Sequence, residues 1–294
     1  MAETNIMKQR LTIRIGRGTL SFAQPVLAGS GTAQEAAASS QQVLFEPYVV
    51  KSGVSMAANL REAFKSSDLL LNPPPRVRVF IDTDVLMVPV ECFDEKQMET
   101  MYLHAFPRIN VRDESLQAGA PSGMRKEDAV YYNVLPDLNA VAVFAMNKDL
   151  RLVIDDHFSD VKLISVNTPV WRYLHQRSFT GTRYKLCGYF HEQRLEVFCF
   201  QQNRFRFCNS FSVRQPHDAL YFLLYVWNQL QLQPRFDELH IVGDIPEQEW
   251  LLAQLRRFLQ KAYVINPSAD FNRAQVTAIK GMPYDLQTLF VKGR

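Results

Sequence analysis

Cysteine is scarce in this chain and poorly placed for chemistry. The four cysteines among 294 residues are Cys92, Cys187, Cys199 and Cys208. They fit neither the paired spacing of a zinc site nor a secreted disulfide framework, and they read as buried free thiols. Long apolar runs are also missing. No segment approaches the roughly 20 apolar residues of a membrane span. Residues 1–10 are polar and lack the apolar core of a secretory leader, so a soluble cytoplasmic protein is expected. A dominant charge is absent as well: the net charge of +3 and pI near 8.6 are too mild to demand a nucleic-acid partner. No P-loop, Gly-x-Ser-x-Gly elbow or His-Glu-x-x-His pair occurs, which removes the commonest signatures of nucleotide, acyl and zinc chemistry.

What the chain does contain is one pattern written twice: three short strands, a helix, a strand and a helix. The second copy is the clearer. Residues 184–191, 194–201 and 204–211 are apolar, aromatic and β-branched runs separated by two-residue breaks, which predicts a three-stranded meander. Residues 216–233 follow, with Leu220, Leu223, Leu224, Trp227 and Leu230 at helical spacing. A strand over 238–242 and a helix over 247–262 complete the unit.

The first copy is looser. Residues 11–15 and 19–26 form a hairpin around Gly16 and Gly18, and 42–50 supplies a third strand. The Ala-, Ser- and Gln-rich stretch 28–41 has little to bury and reads as a mobile hairpin loop. A helix over 54–70 and a strand over 76–81 follow. Residues 84–91 extend or pair with that strand, and a helix over 94–105 has Asp94 as its cap. After a polar loop over 110–128, the stretch 130–166 is either an inserted hairpin-and-helix section or the completion of the first unit, and 169–176 is a helix. A meander that crosses through a helix to a further strand gives a mixed sheet covered on its faces. The expectation is therefore an α/β protein of two ribonuclease H-like units with mixed five-stranded sheets, the first lobe spanning 1–178 and the second 179–294. At this length, with 47% hydrophobic residues, two cores of ordinary size are the natural solution.

Charge differs between the halves. Through Ser165 there are 17 basic and 20 acidic residues, or −3, and the remainder has 16 against 10, or +6. The basic half interleaves Arg172, Arg177, Arg183, Lys185, Arg194, Arg204, Arg206 and Arg214 with aromatics. Such interleaving suits a nucleic-acid groove. The plainer reading is that Arg204 to Phe207 alternate between the wet and dry faces of one strand.

Three stretches carry a family resemblance: Leu11-Thr12-Ile13-Arg14-Ile15-Gly16, Val141-Ala142-Val143-Phe144-Ala145-Met146-Asn147-Lys148 and Leu239-His240-Ile241-Val242-Gly243-Asp244. With the order of elements, they make the chain similar to an uncharacterised bacterial family with an actin-like ATPase fold, distantly similar to pilus-assembly and cell-division actin relatives. That resemblance implies a nucleotide cleft between the lobes, whose residues here would be Arg14, Gly16, Arg17, Gly18, Thr19, Gly243 and Asp244.

The chemistry of such a cleft makes demands that this chain fails. Each half should carry an Asp-x-Gly hairpin, with glycine admitting a phosphate to backbone amides and the carboxylate organising magnesium and water. In the first hairpin Arg14 stands where the acid belongs, and a cation cannot hold magnesium. In the second, Gly188 falls near the acid's position and the turn around His191 and Glu192 has no glycine. Asp244, ahead of Pro246, can bind a ribose hydroxyl or cap the next helix, and reads better as the cap.

Two acidic clusters have metal-ligand residue types, the first resembling the two-metal carboxylate clusters of ribonuclease H-like nucleases, but both read as solvated charge. One is Asp82, Asp84 and Glu91, and the other is Asp155-Asp156-His157. The expected function is a non-catalytic actin-like scaffold for a protein partner, with no catalytic residue, metal or cofactor. The alternatives are a nucleotide-binding protein or slow ATPase using ATP and, below that, a nucleic-acid-binding module.

Overall fold

The structure, a computed structural model, describes residues 10–26, 42–71, 73–74, 76–108, 124–178, 183–201 and 204–291. The loop expected over 28–41, and most of that over 110–128, lie outside the described residues. Two five-stranded mixed sheets organise the rest. The first is built from β1 (Leu11–Ile15), β2 (Leu20–Pro25), β3 (Val43–Tyr48), β4 (Arg76–Ile81) and, after three further strands given below, β8 (Asp160–Ser165), in the order β3-β2-β1-β4-β8.

The second sheet has β9 (Lys185–His191), β10 (Arg194–Gln201), β11 (Arg204–Ser212), β12 (Glu238–Gly243) and β13 (Ala262–Val264), in the order β11-β10-β9-β12-β13. The hairpins β1-β2 and β9-β10 are antiparallel and hold equivalent places, and β4 and β12 run parallel to β1 and β9. The duplication expected from the sequence is thus present as topology.

The interval that sequence left open divides between both readings. β5 (Val85–Pro89), β6 (Asp128–Leu135) and β7 (Ala140–Asn147) make a separate sheet of order β5-β7-β6, whereas β8 completes the first sheet beside β4.

Helices form where caps and apolar spacing agree. Helix Met56–Ser66 starts at Ser55, whose hydroxyl accepts from the Ala58 amide, and it buries Leu60 and Ala63 against Leu11, Ile13 and Val79. The expected helix over 54–70 breaks at Ser67, whose backbone is extended. Asp94 caps only a 3-10 turn, Glu95–Gln97, by accepting from the Lys96 amide, and the following helix runs Met98–Ala105.

In the second half Leu186, Leu195, Val197, Leu239 and Ile241 pack against Leu223 and Val226 of helix Pro216–Gln229 and Leu251 and Leu255 of helix Gln248–Leu255. The opposite face of that sheet, with Tyr189, Phe198 and Phe200, meets Val170, Trp171 and Leu174 of the linking helix Asn167–Ser178. Chain order and packing part company at the end. The C-terminal helix Tyr284–Phe290 returns to the first sheet, where Leu286 and Phe290 pack with Ala23 and Val43. Among the described residues no helix is long and apolar enough to cross a membrane.

Candidate functional site

The two equivalent hairpins face each other and touch. β1 ends in the turn Gly16 to Thr19. β9 ends in the two-residue turn Glu192-Gln193, whose φ values of 43° and 60° are those of the type I′ hairpin turn, built here without glycine. Glu192 thereby reaches the first hairpin. Its Oε2 accepts from the Gly18 amide at 3.1 Å, and its Oε1 accepts from Thr19 Oγ1 at 2.6 Å and Arg14 Nη1 at 2.8 Å. A Cβ added at Gly16 would fall 2.1 Å from Glu192 Oε1, so the carboxylate sits where only glycine leaves room. A backbone amide, a hydroxyl and a guanidinium closing on one anion make a phosphate-type cradle, and a carboxylate of the same chain fills it.

Arg14 anchors this contact from beneath. Its Nε donates to both oxygens of Asp285, at 3.0 and 2.9 Å, and Tyr189 Oη donates to Asp285 Oδ2 at 2.9 Å. Arg14 and Asp285 are 3% and 1% exposed, so this pair is sealed from water. Burial pulls the Arg14 guanidinium down, but Asp285 and then Tyr189 and Glu192 outweigh it and hold it well above its ordinary value. Burial raises the Glu192 carboxyl, and Arg14 with the Thr19 hydroxyl bring it below the usual range.

A second cluster extends the network across the lobes. Arg17 pairs with Asp84 at 3.1 Å and Asp82 at 3.6 Å, and His191 lies between Asp82 at 3.3 Å and Glu196 at 3.7 Å. Arg194 joins Asp84 and Ser210, whose hydroxyl donates to Glu196 Oε1 at 2.8 Å. Burial pushes the His191 imidazole down, and Asp82 followed by Glu196 overcomes this and raises it to about 10 from 6.5. Burial raises the Asp82 carboxyl, whereas His191, Arg17 and Arg14 hold it well below its ordinary value.

These shifts predict a pH dependence with a definite sign. The contribution of His191 is complete below pH 6.5 and is lost as pH rises through about 10. Across that window the folded state holds up to one extra proton, worth at most ~1.4 kcal/mol per pH unit. Asp82 acts oppositely: its contribution is present above its ordinary 3.8 and is lost on acidification. Urea midpoints should therefore fall between pH 6.5 and about 10, and His191→Gln should flatten that fall. An equal slope in the variant would remove His191 as its source.

Of the residues singled out from sequence, Arg14, Gly16, Arg17, Gly18 and Thr19 do come together. Gly16 and Arg17 also line a pocket of about 240 Å³ with Asp82, Asp84, Arg125 and Asn147, and Gly243 and Asp244 do not line it. Gly243 has φ 98°, and a Cβ there would lie 2.0 Å from the Phe190 carbonyl oxygen, so its role is close strand approach. Asp244 does not cap the next helix. That helix starts at Gln248 with Glu247 at its cap position, three residues beyond Asp244.

Gly188 does not occupy an acid's place in the cleft, because it packs toward Leu223, Leu195 and Ile241, and Tyr189 and His191 take the cleft side. Asp82 and Asp84 are not solvated but buried and paired, while Glu91 is exposed and accepts from Asn139. Asp155 pairs with Arg151 at 2.6 Å, and His157 stacks on Phe64, so that local triad does not converge. Arg194 is 6% exposed and leaves the basic surface, whereas Arg204 and Arg206 are exposed beside half-buried Phe205 and Phe207. Cys187 and Cys208 flank Phe198 across the strands, and Cys199 belongs to the opposite core. Burial pushes the Cys187 thiol up to about 12. Sequence reasoning missed Asp285 entirely. The one available signal was Arg14 itself, a cation in an apolar strand that needs a buried acid.

Comparison with known proteins places these observations. A family described as protein of unknown function (DUF3822) matches residues 2–262, and the chain belongs to that family. Among curated proteins nothing matches. A crystal structure from Bacteroides thetaiotaomicron, of a protein with actin-like ATPase fold and unknown function, is 26% identical with a TM-score of 0.77, covering 100% of this chain and 99% of that one. The PilM-PilN type IV pilus biogenesis complex gives 12% identity and a TM-score of 0.54, covering 97% of this chain and 99% of that chain. The fold is therefore the actin-like ATPase fold, made of duplicated ribonuclease H-like units.

Proposed function

We propose that this family member is a non-catalytic actin-like scaffold that holds a protein partner, with two lobes, the second starting near residue 179 and ending before the C-terminal helix that packs on the first sheet, joined by an internal carboxylate instead of a nucleotide phosphate. The observation that carries this reading is Glu192 in the cradle of Arg14, Gly18 and Thr19. A phosphate would have to displace an ion pair made within the chain, and Arg14 at the acid's position would repel the magnesium that accompanies it. The likeness to a pilus protein solved as a protein complex supports the partner half of the reading.

Calorimetric titration with magnesium-ATP and a phosphate-release assay test this reading. The expected result is neither binding nor turnover, with Glu192→Ala still unable to hydrolyse ATP because Arg14 remains. A complex with a purified partner should have the same Kd with and without magnesium-ATP. Steady phosphate release that Gly18→Val abolishes would overturn the reading. The pocket beside Gly16 and Arg17 favours a second reading, a nucleotide-binding protein without turnover. Saturable ATP binding with no phosphate release would select it.

A further inference from the structure

Four arginines, Arg10, Arg14, Arg76 and Arg78, share one face of the first sheet, and only Arg14 and Arg76 have acids. Arg14 has Asp285 and Glu192. Arg10 precedes Thr12 by two residues and so lies on the same side of β1, and Thr12 stands directly across from Arg78 on β4, which stands across from Lys162 on β8. Leu11, Ile13, Val77 and Val79 point the other way, into the core.

Arg10 and Arg78 are half-buried, with the Nε of each shut away from water and without an acceptor. Neither makes a side-chain hydrogen bond or ion pair among the described residues. Thr12, 1% exposed, has a buried hydroxyl without a partner. The nearest acid along the strands, Asp160, is taken by Arg76 at 3.1 Å. Burial and then the charge of Arg10 lower the Arg78 guanidinium to about 10. Buried donors without acceptors beside a like-charge pair are costly unless an anion completes them.

We infer that Arg10, Thr12 and Arg78, with Lys162 at the rim, bind a phosphoryl dianion, either free phosphate or a phosphate monoester. A carboxylate would neutralise only one of the two guanidinium charges, whereas a dianion matches both and can also accept from the hydroxyl. The site is displaced from the hairpin turn, with Arg14 next along the same face of β1. It lies at the starts of β1 and β4, and Gly16 is six residues further along, roughly 20 Å away.

The test is titration of the full chain with inorganic phosphate, and separately with phenyl phosphate, at ionic strength matched with chloride. Expected is saturable one-to-one binding that weakens roughly 10- to 100-fold in Arg10→Gln and in Arg78→Gln, with circular dichroism unchanged. Equal affinity for the two probes identifies the free ion, and tighter binding of the ester identifies a phosphorylated molecule. If Arg78→Gln does not fold, Arg10→Gln, at the strand margin, decides the matter with Arg78→Lys, which keeps the charge but loses the fork and should bind less tightly. No saturable binding at millimolar phosphate, or binding that both arginine variants retain, would overturn the inference. So would binding of a polyglutamate peptide in its place.

Discussion

Arg14→Met is expected to destabilise the protein by about 3–5 kcal/mol, because it strands the buried carboxylate of Asp285 and removes the cation that holds Glu192 in the first hairpin. The loss should appear as a lower urea midpoint with an unchanged slope. Replacing both members of the sealed pair separates attraction from stranded charge. Arg14→Met with Asp285→Leu should recover most of the loss, since an apolar pair of similar volume needs no compensating charge. A single-variant loss below about 1 kcal/mol would mean that water reaches these groups and that the hairpins are not joined through them.

Gly243→Val should be comparably damaging for a purely geometric reason. The residue has φ 98°, and any Cβ would lie 2.0 Å from a backbone carbonyl oxygen that β12 and β9 hold in place. Strain and overlap together predict a loss of about 3 kcal/mol or insoluble expression. Gly18→Ala is the contrasting case: nothing lies within 4 Å of its added Cβ, and its stability should stay within about 0.5 kcal/mol of the parent. Equal losses at the two positions would refute the assignment of Gly243 to strand approach.

These two glycines show how the candidate site was read and misread. Both were drawn from motifs that, by resemblance, approach a nucleotide, and residue type alone cannot tell a glycine that admits a ligand from one that admits a neighbouring strand. The meander over 184–211 was legible because alternation and two-residue breaks are local properties. β13 went unread apart from Ala262, taken as the last residue of the preceding helix, because three residues carry no period, and the seven-residue helix Tyr284–Phe290 also went unread, being under two turns long.

By itself the sequence determined the duplicated architecture, since strand alternation and short breaks depend on residue types at short spacing, and it placed a cation, Arg14, in an otherwise apolar strand. Only the tertiary structure decided what Arg14 does. Its partners Asp285 and Glu192 lie 271 and 178 residues along the chain. Glu192 had every mark of an ordinary turn residue until the second lobe brought it against the first. A buried charge states that it needs a partner, but which carboxylate answers is set by how the two lobes pack.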